Sequence, residues 1–254
     1  MSFRNIRPLH ILWQEGIELE ELTGVLSGVA WILSLAGVTF EFELKYLAQR
    51  RQPDWHQDSV LNPYKSLDGY IHWSHLNPHQ SLDWYVRWAR INSRKAEHLN
   101  SKVLLDALGN NPTYETEPRY ELVVVNEPLH FSSASLQTIG GIARRGQGAI
   151  ISVHQHLHLL QRVWMKSREN TLKRKSRFLL SVQMLTMHEL GHVFGLFPGN
   201  SKKEDLSDEE LEASHCLKDC VMHFRENPER DKKIADNPFC SECLAKLKQF
   251  FIKP

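Results

Sequence analysis

The sequence predicts an α/β fold, and three observations carry it. The chain opens in strand, helix, strand order. Two later runs, Tyr120–Val125 and Ala149–Val153, are apolar enough to be buried on both faces of a sheet. The stretch from Arg177 to Thr186 is apolar at helical spacing and holds no Gly or Pro. With 254 residues, 41% of them hydrophobic and 24% charged, the chain has the length and composition for a sizeable core.

Pro8–Trp13 fits a first strand. Glu18–Ala36 fits a helix whose Leu22, Val25, Leu26, Val29, Ile32 and Leu33 form one stripe, with Gly37 ending it. Val38–Leu44 alternates apolar and charged residues as a half-buried strand does, which completes the opening of a βαβ unit. Arg50–Pro78, punctuated by Pro53, Pro63, Gly69 and Pro78, is expected as a surface excursion whose Trp55, Tyr64, Tyr70 and Trp73 pack over a helix or line a pocket. Helical spacing returns from Ser81 to Leu108, with Leu99 among the buried positions, and Gly109-Asn110-Asn111-Pro112 stops it. The glycines of Gly140–Gly148 do not form a phosphate loop, because no Lys-Ser/Thr follows.

The chemistry gathers at Met187-His188-Glu189-Leu190-Gly191-His192. Residues four apart share a helix face, so His188 and His192 can hold one metal ion while Glu189 stands beside it. Gly195 lies where the helix can end in a left-handed residue and the chain can turn back under the metal. Catalytic zinc takes three protein ligands and keeps one position for water, so a third ligand is wanted. His215 is the best candidate. It is followed by Cys216, Cys220 and Met222, and 17 residues later by Cys240 and Cys243.

This array, H-C-x3-C-x-M-x17-C-x-x-C after HExxH, resembles that of the archaemetzincins, a metzincin-type group of zinc metallopeptidases. The resemblance covers roughly residues 186–244 and departs from the family pattern twice. The family's third histidine comes three residues after the glycine, where this chain has Pro198, and the Cys216–Cys220 gap is one residue short. The resemblance implies a zincin-like mixed twisted sheet with packed helices, an HExxH active-site helix and a small C-terminal part bound to zinc through four cysteines. Residues 1–254 are then one catalytic domain, with an N-terminal subdomain 1–195 and a C-terminal subdomain 196–254. It further implies that Leu136–Arg145 is an antiparallel edge strand above the active helix. Gly140 and Gly141 would there admit another chain closely, and a plain hairpin turn is the competing expectation.

The site assignments follow. His188, His192 and His215 hold a catalytic zinc, Glu189 is the general base, and Met222 matches the methionine turn of metzincins. Cys216, Cys220, Cys240 and Cys243 form a closed four-sulfur set, the mark of a structural zinc, so two zinc ions are expected per chain. The expected activity is hydrolysis of peptide bonds by a water that zinc activates and Glu189 deprotonates, acting in aminopeptidase fashion on small peptides. The alternative is a catalytically silent zincin scaffold that binds a peptide or a protein partner.

Other features count less. Net charge is +1, from 31 basic and 30 acidic side chains, so neither nucleic acid nor an anionic membrane is an expected partner. Met1–Asn5 lacks a signal-like layout and Val25–Val38 is too short for a bilayer span, which points to an intracellular, cytoplasmic protein. His154, His156 and His158 share a strand face but have no acidic or sulfur partner nearby, and solvated loop histidines are the expectation. Pro198–Ser214 is an insertion with a capping-box spacing from Ser207 to Glu210, expected to form a short acidic helix near the cleft.

Overall fold

The computed structural model describes residues 7, 9–14, 17, 19–38, 99–109, 118–130, 138–154, 171–197, 215–223 and 233–252. Within them lie strands β1 (Leu9–Trp13), β2 (Leu99–Asn100), β3 (Tyr120–Val125), β4 (Leu129–His130), β5 (Thr138–Ile139), β6 (Gly141–Arg144) and β7 (Gly148–Ser152). The helices are α1 (Leu19–Ala36), α2 (Ser101–Gly109), α3 (Thr171–Val193) and α4 (Ser241–Ile252). No helix among the described residues is long and apolar enough to cross a membrane.

The main sheet has the order β1-β3-β7-β6. β1, β3 and β7 run parallel. β6 runs antiparallel to β7 and forms the edge, so the sheet is mixed. A second sheet, β2-β4-β5, pairs Leu99 with Leu129 in parallel and Leu129 with Ile139 antiparallel.

Both apolar runs behave as expected. Every residue of β3 and of β7 is buried. Leu9, Ile11, Tyr120, Leu122, Val124, Ala149 and Ile151 share one face and join the core made with α1 and α3. On the other face α2 packs against β6 and β7, with Leu104 and Leu105 fully or almost fully buried.

α1 buries Leu22, Val25, Val29, Ile32 and Leu33 and half-buries Leu26, which is the predicted stripe. Gly28, which in the sequence only interrupts an apolar run, has a specific use. A Cβ there would lie 2.7 Å from the Gln183 carbonyl oxygen and 2.9 Å from the Thr186 Cβ, so its absence lets α1 and α3 touch backbone to side chain.

Two expectations change. Leu99 and Asn100, placed in a helix by spacing, form a strand that pairs with Leu129 and His130, and a helix follows from Ser101. The cross-strand pairing of β2 overrides the local helical pattern. Within the expected edge strand Leu136–Arg145, the described residues form two short strands, β5 in the small sheet and β6 at the edge of the main one. The edge strand and the hairpin are therefore both present, because β6 turns into β7 through Arg144–Gln147, with Gln147 N–H bonded to the Arg144 carbonyl at 3.1 Å. Val38 is buried at the end of α1, while the rest of the expected strand to Leu44, the excursion 50–78 and the helix from Ser81 to His98 lie outside the described residues.

The close contact at Gly28 gives a direct prediction. Gly28→Val should cost about 1–3 kcal/mol of unfolding free energy by overpacking the α1–α3 contact. Ala30→Val, on the exposed side of the same helix, should stay within about 0.5 kcal/mol. Denaturant unfolding of the two variants checks this.

Candidate metal centre

α3 presents the site. Met187, Leu190, Val193 and Phe194 point into the core and are at most 1% exposed, which leaves His188, Glu189 and His192 on the adjoining face. Phe194 is packed by Tyr120 at 5.5 Å, Phe250 at 5.8 Å and Phe251 at 4.9 Å between ring centroids.

The helix then ends as Gly195 predicts. Gly195 N–H bonds to the His192 carbonyl at 3.0 Å and Leu196 N–H to the Gly191 carbonyl at 2.8 Å, the two bonds of a left-handed cap, and Gly195 has φ 82°. Gly146, in the β6–β7 turn, donates to the Val193 carbonyl at 2.8 Å, so the sheet also anchors this helix end. Phe197 follows with φ 92°, a conformation that strains any residue but glycine, and its ring lies 5.3 Å from the Lys246 ammonium.

His215 completes the histidine set. One ring nitrogen from each of His188, His192 and His215 lies within 4.8 Å of the others. Ring centroids are 4.8 Å apart for His188–His192, 5.3 Å for His188–His215 and 5.0 Å for His192–His215. The Nε2 atoms of His188 and His192 stand 3.1 Å apart. Two imidazoles on one tetrahedral zinc, each at about 2.05 Å, would be separated by about 3.3 Å. The donor set therefore fits such an ion.

Orientation comes from the second nitrogen of His188. Its Nδ1 is 2.7 Å from the Val221 carbonyl, so Nδ1 carries the proton and donates it there, and Nε2 keeps its lone pair for a metal. Sequence inspection missed Val221, because any residue type supplies a carbonyl. Burial holds the His192 pKa well below the usual histidine range, the neighbouring His188 and His215 lower it further, and a backbone bond with Phe197 opposes this. His192 is thus neutral at pH 7 and able to donate to a metal.

Glu189 is buried, 5% exposed, beside the edge strand. A Cβ on Gly141 would sit 2.7 Å from both Cγ and Oε1 of Glu189. The glycine expected to admit another chain is therefore required first by the carboxylate itself. Met222 is fully buried and lies against α3 at Gly191, where a Cβ would run into its Sδ.

The four cysteines converge as well. Their sulfurs lie within 4.8 Å of one another, and Cys216 and Cys240 are 3.7 Å apart. Two thiolates on a tetrahedral zinc at about 2.3 Å would be about 3.8 Å apart, so this set also fits. Hydrogen bonding from Cys243 lowers Cys220 to about 6, and the same pairing pushes Cys243 upward, while burial raises Cys216 to about 11. A metal entering the cluster must therefore release protons. His156, His158 and the insertion 198–214 lie outside the described residues; His154 is half-buried just past β7.

No protein-family model matches this chain, and no curated protein matches it. Among solved structures it is similar to archaemetzincin from Methanopyrus kandleri, with a TM-score of 0.53 and 18% identity over 97% of this chain and 96% of that one. The chain has the archaemetzincin fold. The mixed sheet, its packed helices and the cysteine cluster near the C-terminus agree with that likeness.

His192 sets a pH dependence. A histidine with a depressed folded-state pKa stays neutral while the unfolded chain takes up its proton below about pH 6.5, so stability present above that pH is lost as the pH falls through it. Metal-free protein should lose up to about 1.4 kcal/mol per pH unit more than its His192→Gln variant between about pH 6.5 and 5.5. Denaturant unfolding at both pH values measures the difference.

Proposed function

We propose that the protein is a zinc-dependent metallopeptidase. The observation that carries this is the convergence of His188, His192 and His215 with Glu189 held beside them beneath the edge strand. His188, His192 and His215 would hold the catalytic zinc, and Cys216, Cys220, Cys240 and Cys243 a structural one, making two ions per chain. When bound, zinc supplies Lewis acidity that polarises a carbonyl and lowers the pKa of a coordinated water toward neutrality.

The chain's own groups supply the rest. Glu189 lies next to His188 on the helix and is 5% exposed, so its carboxylate can take the proton of an attacking water and deliver it to the departing amine. The contact with Gly141 confines that carboxylate to one side of the helix. Neutral His192 and the Val221-oriented His188 keep their lone pairs directed at one point.

The substrate we propose is a peptide or protein in extended conformation, with small peptides cut in aminopeptidase fashion. Ser152 N–H bonds to the Gly140 carbonyl at 2.7 Å, so in this antiparallel register the main-chain groups of Gly141 and Ala143 face away from β7. No strand among the described residues pairs with that edge, and a substrate backbone would add there as a further strand, beside Glu189 at Gly141.

Glu189→Ala tests this. Metal analysis should find two zinc ions in both wild type and variant, while cleavage of a mixed peptide library should fall about 10²–10⁴-fold in the variant. Cleavage by neither protein would favour a silent peptide-binding scaffold. Equal cleavage by both would remove Glu189 from the mechanism.

A further inference from the structure

The two donor sets are joined by more than the peptide bond between His215 and Cys216. The loop from Cys216 to Met222 closes on itself, since Cys216 N–H donates to the Met222 carbonyl at 2.9 Å. Val221, between Cys220 and Met222, faces both ways. Its carbonyl receives His188 Nδ1 at 2.7 Å, and its N–H donates to the Pro238 carbonyl at 2.7 Å, two residues before Cys240. Cys240 N–H in turn points at the Cys220 sulfur at 3.5 Å. One short loop thus carries one histidine ligand outright and orients another, and its far side is built from the sulfur cluster.

Buried Met222, against Gly191, holds the end of the loop nearest α3, and the cluster holds its other side. The Lys218–Glu242 pair at 2.7 Å and the Lys233–Asp219 pair also tie it, each between residues more than half exposed, and pairs of that kind contribute little. Leu217 is 73% exposed and anchors nothing by burial. Cys216 and Cys220 are buried, and their sulfurs meet Cys240 and Cys243 from the opposite strand of chain.

We propose that the cysteine site is a positioning device for the histidine site, so that metal in the sulfur cluster is required for tight metal binding by the three histidines. This rests on the zinc assignment proposed above. The sulfur site fills first, and by linkage an ion on the histidines tightens the cysteine site by the same factor. Loss of partners that orient histidine ligands lowers metal affinity about 10–100-fold, and here His188 and His215 are both affected.

The test is a cobalt(II) titration of the metal-stripped full chain, in which thiolate charge-transfer absorption reports the cysteines and ligand-field bands with nitrogen donors report the histidines. Wild type should show the sulfur signal first and the histidine bands only afterwards. The double variant Cys240→Ser, Cys243→Ser leaves residues 215–223 intact and should bind cobalt at the histidines about 10–100-fold more weakly. Should that variant fail to fold by circular dichroism, wild type preloaded with one equivalent of thiophilic cadmium should instead bind cobalt at the histidines more tightly than the unloaded chain. Histidine bands that appear first, or with unchanged affinity in the variant or after cadmium loading, would overturn the coupling while leaving the zinc site standing. Histidine bands that never appear, even with the cysteines saturated, would overturn the zinc assignment and the coupling with it.

Discussion

Three imidazoles whose ring nitrogens lie within 4.8 Å of one another, with His192 and His215 buried, form a donor set that one divalent cation can bridge. Nearly everything else serves this constraint. Burial keeps His192 neutral, a carbonyl fixes the proton of His188, and the left-handed turn at Gly195 starts the chain back toward His215. A divalent ion that accepts nitrogen donors suits such a set.

The scaffold answers to the site at two places. The β6–β7 hairpin contributes the Gly146 N–H to the last turn of α3 and sets Gly141 over Glu189, so the edge of the sheet fixes both the end of the helix and the side of its carboxylate. On the other flank, α1 presses on α3 at Gly28, and Phe194 is gripped by Tyr120, Phe250 and Phe251. A helix held from both sides cannot roll, and a roll of a few tens of degrees would carry His188 and His192 off a common point.

Much of this was legible in the residues, for physical reasons that differ by element. β3 and β7 were plain because strands buried on both faces must be apolar throughout, and α1 because one face must be. The histidines and cysteines were plain because few residue types bind metal, and their neighbours placed His215 even though the 198–214 insertion removes it from its usual distance. β2 was hidden, since a two-residue pairing leaves no period to detect and the helical pattern continues through it. Val221 was hidden because its role belongs to the backbone. Gly141 was visible as a glycine but not for its reason, which depends on where Glu189 arrives in three dimensions.

The most direct test of the central claim is anomalous scattering from a crystal of the protein, recorded on both sides of the zinc absorption edge. The account predicts two zinc positions per chain, one bounded by nitrogens of His188, His192 and His215 and the other by the four cysteine sulfurs. A single peak at the cysteines, with the ring of His215 turned away from His188 and His192, would contradict it.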